Sequence, residues 1–212
     1  MAILATADPT TKATASRALA TAWGEGAMAV GHAPPPPRPA RPERLLLRPT
    51  KEMAKRRAFG SPTGRLALIH ALAHIELNAI DLAWDLVARF AGTGLPREFF
   101  DDWVGVAAEE ARHFELLAGR LAELGARYGD LPAHDGLWEA AAATAGDLLA
   151  RLAVVPLVLE ARGLDVTRRW RPGWSGSATP RVQKSWARSI ATRSVTSLQG
   201  CAGSTGSVSN AG

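Results

Sequence analysis

The feature that most constrains this chain is an acid and an imidazole set into an otherwise apolar helical stripe. Laid on a helix of about 3.6 residues per turn, Trp103, Val106, Ala107, Glu110, His113, Phe114, Leu117 and Leu121 share one face. Six of these eight side chains are apolar, so the face is built to be covered. Glu110 and His113 are three residues apart and therefore neighbours on it. A buried carboxylate is costly unless it is paired or bound to a cation. Something must sit opposite Glu110 and His113, and a metal ion meets the need with the fewest additional groups.

Two further acids occupy similar positions. Glu76 belongs to the stripe Ile69, Leu72, Ala73, Glu76, Ile80, Ala83, Val87, and Glu160 to the stripe Leu149, Leu152, Ala153, Pro156, Glu160. Each acid taken singly is explained by a salt bridge to Arg or Lys. Three consecutive apolar faces, each with one carboxylate, favour a shared cation, and a Glu-x-x-His pair projecting into a bundle core is the pattern that holds paired iron ions. His70 and His74 are four apart and form a second candidate pair. His74 is about 200° around the helix from Glu76, so both histidines are expected to be hydrogen-bonded rather than ligating. Asp81 and Asp85 are expected on the outer side, Asp85 paired with Arg89.

Three segments follow from composition. Residues 1–61 hold a helix near 11–23, ended by Gly24 and Gly26, and then a Pro/Arg-rich strap with Pro34–Pro37 in polyproline II. Residues 62–166 read as three amphipathic helices: from Pro62 or Gly64 to Phe90, from Pro96 to Leu124, and 136–162 with Asp135 as its N-cap and a kink at Pro156. Residues 167–212 are rich in Arg, Ser, Gly and Trp with no helical stripe, and Trp170, Trp174 and Trp186 lack apolar neighbours. The net charge of +5 resides in the flanks rather than the helices. One cysteine, Cys201, excludes a disulfide framework and a Cys₂His₂-type zinc site. Neither a secretory signal nor a run of about 18 apolar residues is evident, so a cytoplasmic protein with no membrane association is expected.

Residues 66–165 resemble an uncharacterised bacterial ferritin-like family, domain of unknown function 455, related in architecture to rubrerythrins and the tRNA-modifying di-iron hydroxylase. The resemblance is carried by His70-Ala-Leu-Ala-His74-Ile-Glu76, Leu95-Pro-Arg-Glu-Phe-Phe-Asp-Asp102, Ala107-Ala-Glu-Glu-Ala-Arg-His-Phe-Glu115, Pro132-Ala-His-Asp-Gly-Leu-Trp138 and Leu159-Glu-Ala-Arg-Gly-Leu-Asp165. It implies an all-α, ferritin-like four-helix bundle with Glu76, Glu110, His113 and Glu160 as metal ligands. The fourth helix, with a second Glu-x-x-His, is missing or replaced by the irregular tail. Back-translating residues 191–200 with codons chosen for the purpose, and reading two bases on, gives Asp-Glu-Ile-Gly-His-Val-Ala-Ala-Gly. The expectation is a change of reading frame after Thr167.

The function expected from the resemblance is a di-iron, or iron/manganese, carboxylate oxidoreductase or hydroxylase acting on a small molecule the sequence does not identify. Two ions are expected in an intact family member. The chain as written is expected to be impaired, and to oligomerise or aggregate through helix faces the missing helix leaves open. Tyr128 is assigned no radical role. Two rivals stand beside this reading: a non-catalytic helical scaffold, and, less favoured, a nucleic-acid binder using the basic flanks.

Overall fold

A computed structural model of the chain describes residues 2–53 and 61–154. Regular structure among them is helical, apart from one isolated bridge between Leu47 and Ala133. The helices are α1 (Ala2–Ala5), α2 (Pro9–Gly24), α3 (Pro62–Arg89), α4 (Arg97–Glu123) and α5 (Gly136–Ala143), with a single 3₁₀ turn at Thr50–Glu52. A further helix begins at residue 148 and is described to 154.

Local chemistry sets the boundaries. The Asp8 carboxylate accepts from the Thr11 N–H and Pro9 follows it, which starts α2. Ser61 and Pro62 do the same for α3, with the Ser61 hydroxyl accepting from the Gly64 N–H. At the end of α4, Gly125 takes a left-handed conformation (φ 73°). Its N–H bonds to the Ala122 carbonyl and that of Ala126 to Leu121, the pairing of a Schellman motif.

The antiparallel hairpin α3–α4 is the centre of the fold, and α2 lies along α4. Alanines Ala73, Ala83, Ala107 and Ala111, all essentially inaccessible, allow close approach of the backbones. Larger side chains, among them Leu77, Ile80, Phe99, Trp103, Phe114 and Leu121, fill the remaining space. The three helices are also tied by polar links. The Trp84 indole N–H donates to the Ser16 hydroxyl at 2.7 Å, and that hydroxyl donates to the Ala107 carbonyl at 3.2 Å.

The Pro/Arg-rich segment crosses the helices as a strap. Its Ala40 N–H bonds to Leu4 at one end. Further along, the Arg48 N–H donates to the Ala133 carbonyl and the Ala133 N–H to Leu46. Arg38 pairs with Asp135.

Three expectations are corrected. Asp81 and Asp85 are not on an outer face; both side chains are fully buried. Their side of α3 is covered by α2, the strap and the chain after α5, none of which the periodicity of α3 reveals. Asp81 meets Lys12 at 2.7 Å and Arg41, while Asp85 meets Arg151 at 2.6 Å and Arg89 at 2.7 Å. The Asp85–Arg89 pair itself forms as expected.

The helix expected over 136–162 is interrupted after Ala143. The Thr144 hydroxyl bonds back to the Ala140 and Ala141 carbonyls, and buried Arg151 donates to the Thr144 hydroxyl and the Ala141 carbonyl. Asp147 then caps a new helix through the Ala150 N–H. Asp135 precedes α5 but makes no side-chain capping bond.

The stripe through Leu149 is the third correction. Leu149 is 62 % exposed and Ala153 is exposed; Leu152 is buried as expected, and Arg151, outside the stripe, is buried beside it. Pro156, Glu160, the region after Thr167 and the Trp/Arg-rich tail lie outside the described residues.

By length and composition α3 is apolar enough to cross a membrane. Here it is the central, mostly buried helix, and its two aspartates are neutralised within the fold.

Candidate metal centre

The two central helices bring Glu76, from the middle of α3, to Glu110 and His113 on α4. One ligand atom from each lies within 4.8 Å of the other two. Glu76 and Glu110 are buried, and the His113 side chain is 30 % exposed, so the cluster is closed on the carboxylate side and open at the imidazole. His113 Nδ1 lies 3.0 Å from Glu110 Oε2. With Glu110 as acceptor, the Nδ1–H donates and Nε2 retains a lone pair for a ligand.

The electrostatics of this cluster differ from those of the other buried acids. Asp81 and Asp85 each meet two cationic side chains. Glu76 and Glu110 face each other. Burial raises the Glu76 carboxyl well above its ordinary range, and the charge of Glu110 raises it further, with His113 opposing. Burial also raises Glu110, opposed by a hydrogen bond from Glu76. Burial disfavours two charges here, so without a cation the pair holds a proton between Glu76 and Glu110.

Two carboxylates and an imidazole form a mixed oxygen/nitrogen donor set that suits iron, manganese or zinc. A dication here would displace the shared proton and remove the repulsion that burial imposes on the pair. These residues fit one cation with three protein ligands. Glu160, expected as a fourth, lies outside the described residues.

A second polar cluster on α3 faces the loop after α4. The Tyr128 hydroxyl lies 2.7 Å from His74 Nδ1, and His74 Nε2 lies 3.0 Å from the His134 carbonyl. Asn78 Nδ2 also lies 3.0 Å from Nε2 and donates to the His74 carbonyl at 2.7 Å, so both ring nitrogens are engaged within the fold. Burial lowers His74 from 6.5 to about 3 and pushes the Tyr128 phenol up. His70 Nε2 accepts from the Gly129 N–H at 2.9 Å and its ring stacks on Tyr128. Gly129 adopts φ 95°, and a Cβ there would meet Arg44 at 2.9 Å. Both histidines are thus hydrogen-bonded, as expected. The burial of Tyr128 was not anticipated; His70 and His74, four apart on an apolar helix, were the signal that a polar partner would cover them.

A family model described as "Protein of unknown function (DUF455)" matches residues 5–173, and the chain belongs to that family. It is 50 % identical over 133 residues to an uncharacterized protein of Haemophilus influenzae (strain ATCC 51907 / DSM 11121 / KW20 / Rd). The match covers 59 % of this chain and 45 % of that relative, so the chain spans less than half the relative's length. No solved structure matches.

Proposed function

We propose that the protein is a ferritin-like metal-binding protein whose Glu76, Glu110 and His113 hold iron or manganese, and that intact members of its family are di-iron carboxylate oxidoreductases. One observation carries the reading: two carboxylates from different helices are buried against each other beside an imidazole, with ligand atoms of all three within 4.8 Å. The same fold neutralises its other buried acids with cationic side chains, so this pairing of acids is a feature that calls for a cation.

When bound, such metals supply oxygen or peroxide chemistry. The chain's own contribution is to keep the carboxylates dry, to orient His113 through its Nδ1–H, and to leave access at the exposed imidazole edge. Substrate approach from the His113 side follows from that asymmetry.

Three ligands are half of the six that a two-ion carboxylate site uses, so the chain as written is proposed to be impaired. The family match stops at residue 173, close to Thr167 where the composition changes, which supports the proposed change of reading frame. The nucleic-acid reading loses ground because Arg41, in the basic flank, is taken up by buried Asp81, and Arg38 pairs with Asp135 at the surface.

The test is titration of Fe(II) or Mn(II), without oxygen, into metal-free protein by calorimetry in two buffers of different ionisation enthalpy. The expected result is saturable binding with proton release that weakens about 10- to 100-fold, or is lost, in His113→Ala. No binding, or equal binding by the variant, leaves a helical scaffold as the better reading.

A further inference from the structure

Away from the carboxylate cluster, α1, α2 and the first part of the strap line an apolar cleft of about 250 Å³, partly open to solvent, against α3 and α4. Its walls include Leu4, Trp23, Val30, Trp84, Phe100 and Val104. Both indoles have their N–H groups engaged outside it: Trp23 donates to Asp101 and Trp84 to Ser16, each at 2.7 Å. They therefore offer the cleft hydrocarbon only. Among the lining side chains His32 alone is polar, and it is exposed, with its ring against Gly92 at the α3–α4 turn.

The cleft is separate from the proposed metal centre. Trp84 is eight residues beyond Glu76 and Val104 six before Glu110, about 12 and 9 Å along the helices. Buried Ile80, Ala83, Val106 and Ala107 occupy the intervening turns.

A dry apolar cavity of about 150 Å³ in a protein interior accepts benzene. The larger space here has room for a substituted ring. The strap over it is tied at Ala27, whose N–H bonds to Ala22, and again at Ala40, whose N–H bonds to Leu4. Between those ties Val30 packs on the core, and Pro34–Pro37 stiffens the far end.

We infer that this cleft is a binding site for a small apolar molecule of one substituted ring, with a single hydrogen-bonding end directed at His32. The strap segment 28–33 is its cover. The inference does not depend on the metal assignment.

Ligand-observed NMR on the full chain, with ethylbenzene and 4-ethylphenol as probes, tests it. Both are expected to bind at one site, 4-ethylphenol several-fold more tightly. His32→Ala should abolish that preference while leaving ethylbenzene binding intact. Ala88→Phe, which fills the cleft from α3, should abolish binding of both, with circular dichroism and the thermal midpoint showing that the variant is folded. Absence of binding to the unmodified chain, or undiminished binding to folded Ala88→Phe, would overturn the proposal. If Ala88→Phe does not fold, Val104→Phe serves as the second filling variant with the same two outcomes.

Discussion

His113 Nδ1 and Glu110 Oε2 are 3.0 Å apart, one turn apart on α4, with the carboxylate buried and the imidazole reaching solvent. That contact orients the imidazole, and Glu76 on α3 completes the cluster. The consequences for stability are specific.

In metal-free protein the raised carboxyls of Glu76 and Glu110 make folding favour the protonated pair. The unfolded chain loses these protons near pH 4.5, whereas the folded chain retains them to higher pH. Their contribution is therefore fully present below about pH 4.5 and is lost as pH rises through the folded values. Urea unfolding between pH 4 and 8 should show a decline that is smaller in Glu76→Gln. An identical pH profile in the variant would contradict the assignment of a shared proton.

The buried Asp81 is held by Lys12 from α2 and Arg41 from the strap. Asp81→Ala strands two cations and should cost about 3–5 kcal/mol, whereas Lys12→Met with Asp81→Leu should cost much less. Chemical denaturation of the two variants measures the difference, and equal losses would contradict it.

These aspartates also mark what the sequence concealed. The ends at Pro62 and Gly125 were legible because they are fixed within a few residues, whereas the Asp8–Pro9 start of α2 went unread and that helix was expected only from residue 11. Glu76 and Glu110 were legible as inward groups because each stands in an apolar stripe, with His113 beside them at its solvent edge. Asp81 and Asp85 were misplaced because α3 is covered on several sides, and a helix surrounded by protein has no outer face for periodicity to find. The break at Thr144 escaped for a related reason. It is stabilised by Arg151, seven residues on, and a local reading of helix-forming alanines does not contain that contact.

Tyr128→Phe removes the hydroxyl paired with His74 Nδ1 and leaves that buried ring nitrogen without this partner. The expected loss is about 1–3 kcal/mol by urea titration at pH 7. His74 itself is held neutral, its folded value lowered to about 3. Its contribution is present above about pH 6.5 and is lost progressively as pH falls toward 3, because the unfolded imidazole takes up a proton that the folded one refuses. His74→Gln should flatten that part of the stability profile; an unchanged slope would argue against a buried neutral imidazole.

Gly125 has φ 73° and open space where a Cβ would stand. Gly125→Ala therefore probes the backbone conformation alone, and a loss of about 1 kcal/mol is expected. A loss near zero in chemical denaturation would mean that the end of α4 rearranges.

The central claim is that buried Glu76 and Glu110 are metal ligands. Its most direct test is elemental analysis of the full chain purified from iron- and manganese-supplemented cells, beside Glu76→Gln with Glu110→Gln. The account predicts iron or manganese near one ion per chain, and none in the variant. Unmodified protein free of both metals, or a variant that keeps them, would contradict it.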